Sequence, residues 1–346
     1  MMAVLMLTGL AGFYVWLYYN FLQAAKCLNR RSLRGKTVLI TGSLARSLVH
    51  PAIGQAGGGH LEAAPCANRG IGEETALDLA RRGARIILAC RNKAQAESVA
   101  SNIRMETGNS EVFTMRLDLA DLSSVRAFAD EFLRSEPRLD ILINNAGIQD
   151  GGRSADGFNL TFQVNHLSHF LLTHLLLDRL KCCAPSRVVV LASSAHQAGK
   201  IDFKNIHKPV HGFLKYFQAY CHSKLANILF TRELANRLEG TNVTCYAVHP
   251  GLVATEIMCK RRVWMKPLVF LARFFIRDAV EGAQTSIYCA TQDGIEKYSG
   301  HYFADCKPEE PYPQARDDAV AKKLWAFSEK LLGLAEQTPP EQHWGD

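Results

Sequence analysis

Thr37-Val38-Leu39-Ile40-Thr41-Gly42-Ser43 is an apolar run that stops at a glycine, and it reads as a buried strand followed by a turn. Further along the chain Arg85–Ala89, Leu139–Ile143, Arg187–Leu191 and Val243–Val248 read the same way. Between them lie stretches with helical periodicity: Glu73–Arg82, Ala94–Thr107, Ser123–Arg134, Phe158–Leu180 and Tyr220–Leu238. A strand that is apolar along its whole length must be covered on both faces, and amphipathic helices between such strands supply the cover. The pattern therefore predicts a parallel sheet in an α/β fold, running from about Lys36. No internal repeat is visible.

Composition excludes several classes without naming a function. The 346 residues are 48% hydrophobic and 21% charged, which rules out a collagen, a disordered chain and a disulfide miniprotein. The formal net charge of +7 is too small by itself to argue for nucleic acid. Ten cysteines, only Cys182 and Cys183 of them adjacent, form no C-x-x-C or Cys/His spacing, so no metal site is expected and a reducing compartment is. That compartment makes chance occurrences of the glycosylation triplets at Asn159 and Asn242.

The N-terminus departs from this average. Residues 1–25 carry no charged side chain, and as a helix they would reach roughly 37 Å, enough for a bilayer core of about 30 Å. Trp16, Tyr18 and Tyr19 sit near the end of the stretch, where amphipathic aromatics favour the membrane interface. Lys26, Arg30, Arg31, Arg34 and Lys36 follow, a basic juxtamembrane segment at 26–36. With positive charge only after the apolar run, the rest of the chain is expected on the cytosolic side, by default of the endoplasmic reticulum. A cleaved signal peptide is the alternative, but it lacks a basic leader and a small-residue cleavage site.

The chemistry builds by accumulation. Asn144-Asn145-Ala146-Gly147 ends one strand, Ser193-Ser194 ends the next, and Tyr220-Cys221-His222-Ser223-Lys224 opens a helix. Tyr and Lys four apart share a helix face. A nearby ammonium lowers a phenol pKa from about 10, so that it can exchange a proton with an alcohol or carbonyl. Alone, the pair is more often a solvated helix face.

At these residues the chain resembles the short-chain dehydrogenase/reductase family, from about Lys36 to Ala304, and within it the retinol dehydrogenase branch. The branch likeness lies in Leu88–Asn92, Ala219–Asn227 and Tyr246–Gly251. The resemblance implies a doubly wound, Rossmann-type α/β domain with a parallel seven-stranded sheet. It implies Tyr220 as acid/base and Lys224 as the group that tunes it and holds the nicotinamide ribose. It implies Ser194 on the substrate oxygen and Asn165 in the proton relay. Asn145, Ala146 and Gly147 would line the coenzyme, and Pro250, Gly251 and Thr255 would meet the carboxamide. Asp118 and Leu119, after the third strand, match the adenine-contacting position. Leu191 stands where relatives often carry Asn. The implied substrates are lipophilic alcohols and aldehydes of the retinol and retinal kind. Homodimers through the helices carrying Asn165 and Tyr220 are also implied.

NADP(H) is expected over NAD because Arg91, not a carboxylate, follows the second strand, and a guanidinium suits a 2′-phosphate. Arg69 adds a second charge; both are otherwise plain surface arginines. Residues 258–277 mix basic and apolar groups and read either as a lid helix or as a segment lying on anionic lipid.

One departure threatens the whole assignment. The family turn needs Thr-Gly followed closely by Gly-x-Gly, so that backbone N–H groups meet the pyrophosphate at a helix N-terminus. Here Gly42 is separated from Gly70, Ile71 and Gly72 by residues 44–67, an insert with Gly57-Gly58-Gly59 and no helix or strand pattern. Deleting it restores TGSNRGIG. The insert reads as a retained non-coding stretch or a variant transcript in an otherwise intact turn, with a functional extra loop as the alternative. Two functions follow: an NADP(H)-dependent oxidoreductase, or an anchored relative that binds coenzyme poorly. The domain is expected over 37–335, with a frayed tail at 336–346.

Overall fold

The computed structural model describes residues 25–42, 70–253 and 277–334. Eight strands form a single sheet. They are β1 (Thr37–Thr41), β2 (Arg85–Cys90), β3 (Val112–Arg116), β4 (Ile141–Asn144), β5 (Ser186–Leu191), β6 (Val243–His249), β7 (Tyr302–Ala304) and β8 (Lys307–Glu309). Their order is β3-β2-β1-β4-β5-β6-β7-β8. All neighbours are parallel except β7 and β8, so the expected seven-stranded parallel sheet carries an eighth, antiparallel edge strand. β8 is short, exposed and polar, with Pro308 at its centre, which is why no hydrophobic pattern announces it.

The helices are α1 (Ile71–Arg81), α2 (Lys93–Thr107), α3 (Leu122–Ser135), α4 (Leu160–Phe162), α5 (Ser168–Cys182), α6 (Phe213–Arg237), α7 (Ala279–Thr291) and α8 (Asp318–Leu332). They cover both faces, as continuous apolar strands require. Leu39, Ile87, Leu142, Val188 and Val190 face the core under α3, α5, α6 and α8. The alternate side chains Val38, Ile40, Ile86, Leu88, Ile141, Ile143 and Val189 face the core under α1, α2 and α7. This is period-two alternation with both sides apolar. The order reverses at β1, which lies between β2 and β4, and ligands in such sheets bind beyond the carboxyl ends of the strands at this point.

Two helical expectations need correction. Phe158–Leu180 is not one helix. A π-helical segment at Gln163–Leu167 separates α4 from α5, and the Asn165 side chain is drawn onto the Ile148 backbone there. Tyr220 does not open its helix: α6 begins seven residues earlier at Phe213, after Gly212. α7 and α8 carry plain start signals, a capping box of Asp278 with Glu281 and the N-cap Asp317.

α8 packs on α6. Trp325 stacks on Phe230, with ring centroids 5.9 Å apart, and meets the edge of Phe170 at 4.7 Å. Trp325 also donates to Glu329 at 2.7 Å. Trp325→Ala is expected to cost about 3 kcal/mol, read as a lowered urea midpoint.

The basic segment is partly spent on the domain. Lys36 pairs with the buried Asp140 at 2.7 Å, and Arg31 pairs with Asp293. Burial pushes the Asp140 carboxyl up, but Arg138, Lys36 and the Thr37 N–H outweigh it and hold the group below its ordinary value. A lowered carboxylate pKa contributes stability above the unfolded pKa and loses it as pH falls through the folded one. Asp140→Asn is therefore expected to be less stable than the parent at pH 7, with the gap closing toward pH 3, in thermal melts.

Among the described residues no helix is long and apolar enough to cross a membrane. The expected anchor lies outside them except for Ala25, as do the insert at 44–67, Arg69, Thr255, residues 258–276 and the tail.

Candidate active site

Thr41 joins the end of β1 to the residues after β4. Its hydroxyl accepts the N–H groups of Asn145 at 3.0 Å and Ala146 at 3.1 Å. The Asn145 carboxamide donates back to the carbonyls of Thr41 and Gly42, at 2.9 and 3.1 Å. Gly42 has φ +62, and a Cβ there would come within 2.6 Å of the Ala146 Cβ, so only glycine allows this approach of β1 to β4. Gly70 is the N-cap of α1 and offers no side chain to its first turn. The bare helix end at Ile71 and Gly72 is the kind of place that receives phosphate.

Asn165, in the π-helical turn, is 0% exposed, and its side chain makes three bonds. It accepts from the Ile148 N–H at 2.8 Å, and donates to the Ile148 carbonyl and to Ser223 Oγ, both at 2.9 Å. Ser223 donates in turn to the Tyr220 carbonyl at 2.7 Å. π-helical turns of this kind concentrate at functional sites. The structure thus brings Gly147, Asn165, Ser223 and Lys224 together: a Cβ on Gly147 would lie 3.4 Å from Lys224 Nζ and 3.7 Å from Asn165 Oδ1.

Lys224 donates to the Leu191 carbonyl at 2.9 Å, a bond that Asn227 shares at 3.0 Å. This gives Leu191 a backbone role that its side chain does not suggest. Burial lowers the Lys224 pKa to about 8. Its Nζ lies 5.5 Å from the Tyr220 ring centroid, over the ring. The phenol pKa is not lowered, as the Tyr-Lys spacing predicts, but raised. Burial drives it up, and a hydrogen bond with Ser193 offsets only part of this.

The serine pair splits between two neighbourhoods. Ser193 bonds to Tyr220, while Ser194 lines a cavity of about 320 Å³ with His196, His249, Leu252, Tyr302 and Tyr312; Tyr220 lies outside that lining. The Ser194 N–H donates to His249 Nδ1 at 3.3 Å. Burial lowers His249 to about 4, so the ring is neutral and can accept. Gly251 packs against Arg277, which pairs with Asp305 at 2.7 Å, and Pro250 stands partly buried before it.

Arg91 is exposed at the carboxyl end of β2. The parallel register sets Cys90 opposite Arg116, the last residue of β3, which is also exposed. Arg116 ends its strand opposite the residue before Arg91, and it escaped the sequence reading because only the register brings the two strand ends side by side. Asp118 is partly occupied by local bonds: its carboxylate accepts the Ala120 N–H at 3.0 Å. Leu119 is buried, and its carbonyl accepts from Ser168 at 2.6 Å.

The residues present fit a dinucleotide. They offer a helix end without a side-chain cap, glycines at 42 and 70, a buried ammonium with donors to spare and exposed arginines at the carboxyl ends of β2 and β3.

The sequence profile described as short chain dehydrogenase matches residues 66–266. Dehydrogenase/reductase SDR family member 13 of Homo sapiens is 50% identical over 99% of this chain and 86% of its own length. Human retinol dehydrogenase 12 is 46% identical, covering 94% of this chain and 97% of its own. Among solved structures, an uncharacterized protein from Mycobacterium paratuberculosis superposes with a TM-score of 0.67 at 33% identity, over 90% of this chain and 98% of that one. L-sorbose reductase from Gluconobacter frateurii, complexed with NADPH and L-sorbose, shares the fold at a TM-score of 0.58 and 20% identity, over 80% and 96%.

Proposed function

Since the chain belongs to the short-chain dehydrogenase family, we propose that it is a membrane-anchored, NADP(H)-dependent oxidoreductase that interconverts a lipophilic alcohol and its aldehyde or ketone. The observation that carries this reading is the cluster of Asn165 with Ser223 and Lys224 of the Tyr220 helix, set against Gly147. The coenzyme supplies or accepts the hydride at the substrate carbon. The chain's own part is proton management. Tyr220, a neutral phenol in this site, donates its proton to the carbonyl oxygen in reduction and takes it back in oxidation. Ser193 is bonded to that phenol, and Ser194, one residue on, is the serine that the family likeness sets on the substrate oxygen. Asn165 holds the turn of backbone through which a proton relay would pass.

The preference for NADP(H) rests on Arg91 at the end of the second strand, since a guanidinium there suits a 2′-phosphate and a carboxylate would suit a bare ribose. Retinoid-like substrates are supported by the retinol dehydrogenases among the relatives, and partition of such substrates into lipid suits an anchored enzyme facing the cytosol. Dimers through α5 and α6 would have to form beside α8, which already occupies part of that surface.

The insert at 44–67 favours a second reading, an anchored relative that binds coenzyme poorly. Calorimetric titration of the full chain in detergent with NADPH and NADH separates the two. Micromolar binding of NADPH, at least tenfold tighter than NADH, is expected, with the preference reduced in Arg91→Asp. Absence of binding by the full chain, with recovery on deletion of residues 44–67, would replace the first reading by the second.

A further inference from the structure

We infer that His169 is a positioning residue that locks the coenzyme turn to the proton-relay asparagine, an inference that deepens the catalytic reading above and rests on it. His169 lies in the first turn of α5 and is 1% exposed. Its Nδ1 is 3.2 Å from the backbone carbonyl of Asn165, and its Nε2 is 2.8 Å from Thr41 Oγ1.

Donor and acceptor accounting leaves one arrangement. A carbonyl oxygen only accepts, so Nδ1 must carry the proton and Nε2 must be the acceptor. Thr41 Oγ1 already accepts the N–H groups of Asn145 and Ala146, which fills its two lone pairs. Its single O–H is left for Nε2. Every bond then runs in a direction that its atoms' chemistry allows. Burial, with the Lys224 charge adding to it, lowers the ring pKa to about 4, so the ring is neutral at physiological pH.

The consequence is a continuous chain of bonds between two parts of the site that are far apart in sequence. It runs from the N–H groups of Asn145 and Ala146 through Thr41 and His169 to the Asn165 carbonyl. From the Asn165 side chain it passes through Ser223 to the helix that carries Tyr220. A buried phenylalanine would fill the same space and keep none of it. A buried donor or acceptor left without a partner is costly, so the turn would shift to regain water or another partner.

The test uses the full chain in detergent. His169→Phe and Thr41→Val are each expected to weaken NADPH binding about tenfold, the effect of one buried hydrogen bond left unpaired. The double variant is expected to bind no worse than the weaker single one, because both break one connection. His169→Gln, whose carboxamide oxygen can accept the Thr41 O–H, is expected to recover most of the affinity. Unchanged binding in His169→Phe, or effects that multiply in the double variant, would overturn the inference. Nitrogen-15 spectra of histidine-labelled wild type provide a second measurement that needs no coenzyme and no variant. They should show Nδ1 protonated and Nε2 bare at His169, and the opposite tautomer would sink the proposal. If the wild type binds no NADPH while the tautomer is as expected, the coenzyme reading fails and the His169 connection stands.

Discussion

Tyr220→Phe is expected to lower carbonyl reduction by about 10³-fold while leaving NADPH affinity within a factor of two or so, in the range that general acid catalysis supplies. The substitution removes one oxygen and nothing else. The ring keeps its place in α6, beside the Lys224 amine and behind the Ser193 hydroxyl. The Tyr220 backbone carbonyl still accepts from Ser223, so the Asn165 turn is not released. Loss of turnover without loss of binding would therefore report the missing proton. The measurement is NADPH oxidation with all-trans-retinal at saturating coenzyme, beside calorimetry on the same preparation. Equal turnover by the variant would remove Tyr220 from the mechanism. Equal loss of binding would mean that the phenol oxygen supports the coenzyme site instead.

Ser193 and Ser194 separate in the same way. Ser193 touches Tyr220, and Ser194 faces the cavity. Ser194→Ala is expected to slow reduction about 30-fold or more if its hydroxyl meets the substrate oxygen, within the range of lost stabilising donors. Ser193→Ala should leave the substrate oxygen untouched and act on the phenol, seen as a shift of the pH profile rather than a uniform drop. Two adjacent serines with different pH signatures would distinguish substrate contact from tuning.

Much of this was legible in the chain, and the reasons differ by feature. The five strands that read as apolar runs are all present, because burial on both faces leaves no room for polar residues. β3 was harder to delimit: Val112 is buried but Phe113 is exposed at the sheet edge, so the run is broken. β7 and β8 are three residues each, too short for a period to register. In the site, Asn165, Tyr220 and Lys224 stood out by residue type and spacing. Their bonds did not, because Ser223, His169 and Thr41 are ordinary residues whose importance comes from what the fold places opposite them. The error over the Tyr220 pKa has the same origin. Spacing says that an ammonium shares a helix face with the phenol. It does not say how deeply the fold buries the phenol, and that burial is what raises its pKa.

Lys224→Met should be the most damaging change to the site, abolishing measurable NADPH binding and turnover together. In the wild type the ammonium is buried against Gly147 and Asn165, with donors beyond the one spent on Leu191. Those donors can serve ribose hydroxyls, and methionine has none. The pH dependence separates this role from packing. Burial holds the Lys224 pKa at about 8, so the amine sheds its proton well below the ordinary lysine value. NADPH affinity should thus be level below pH 7 and fall toward tenfold per unit above about pH 8. The fall would be absent from Lys224→Arg, whose guanidinium stays charged. Stability moves the other way. Between about pH 8 and the ordinary lysine range the unfolded chain holds a proton that the folded chain has released, so this group makes the fold more stable as pH rises there. Lys224→Met, with no charge to bury, should melt higher than wild type at pH 7 and lose that advantage as pH climbs. A variant that is more stable and inactive at pH 7 is the signature of a buried ammonium kept for function. One that is less stable at every pH would show that Lys224 is held for packing.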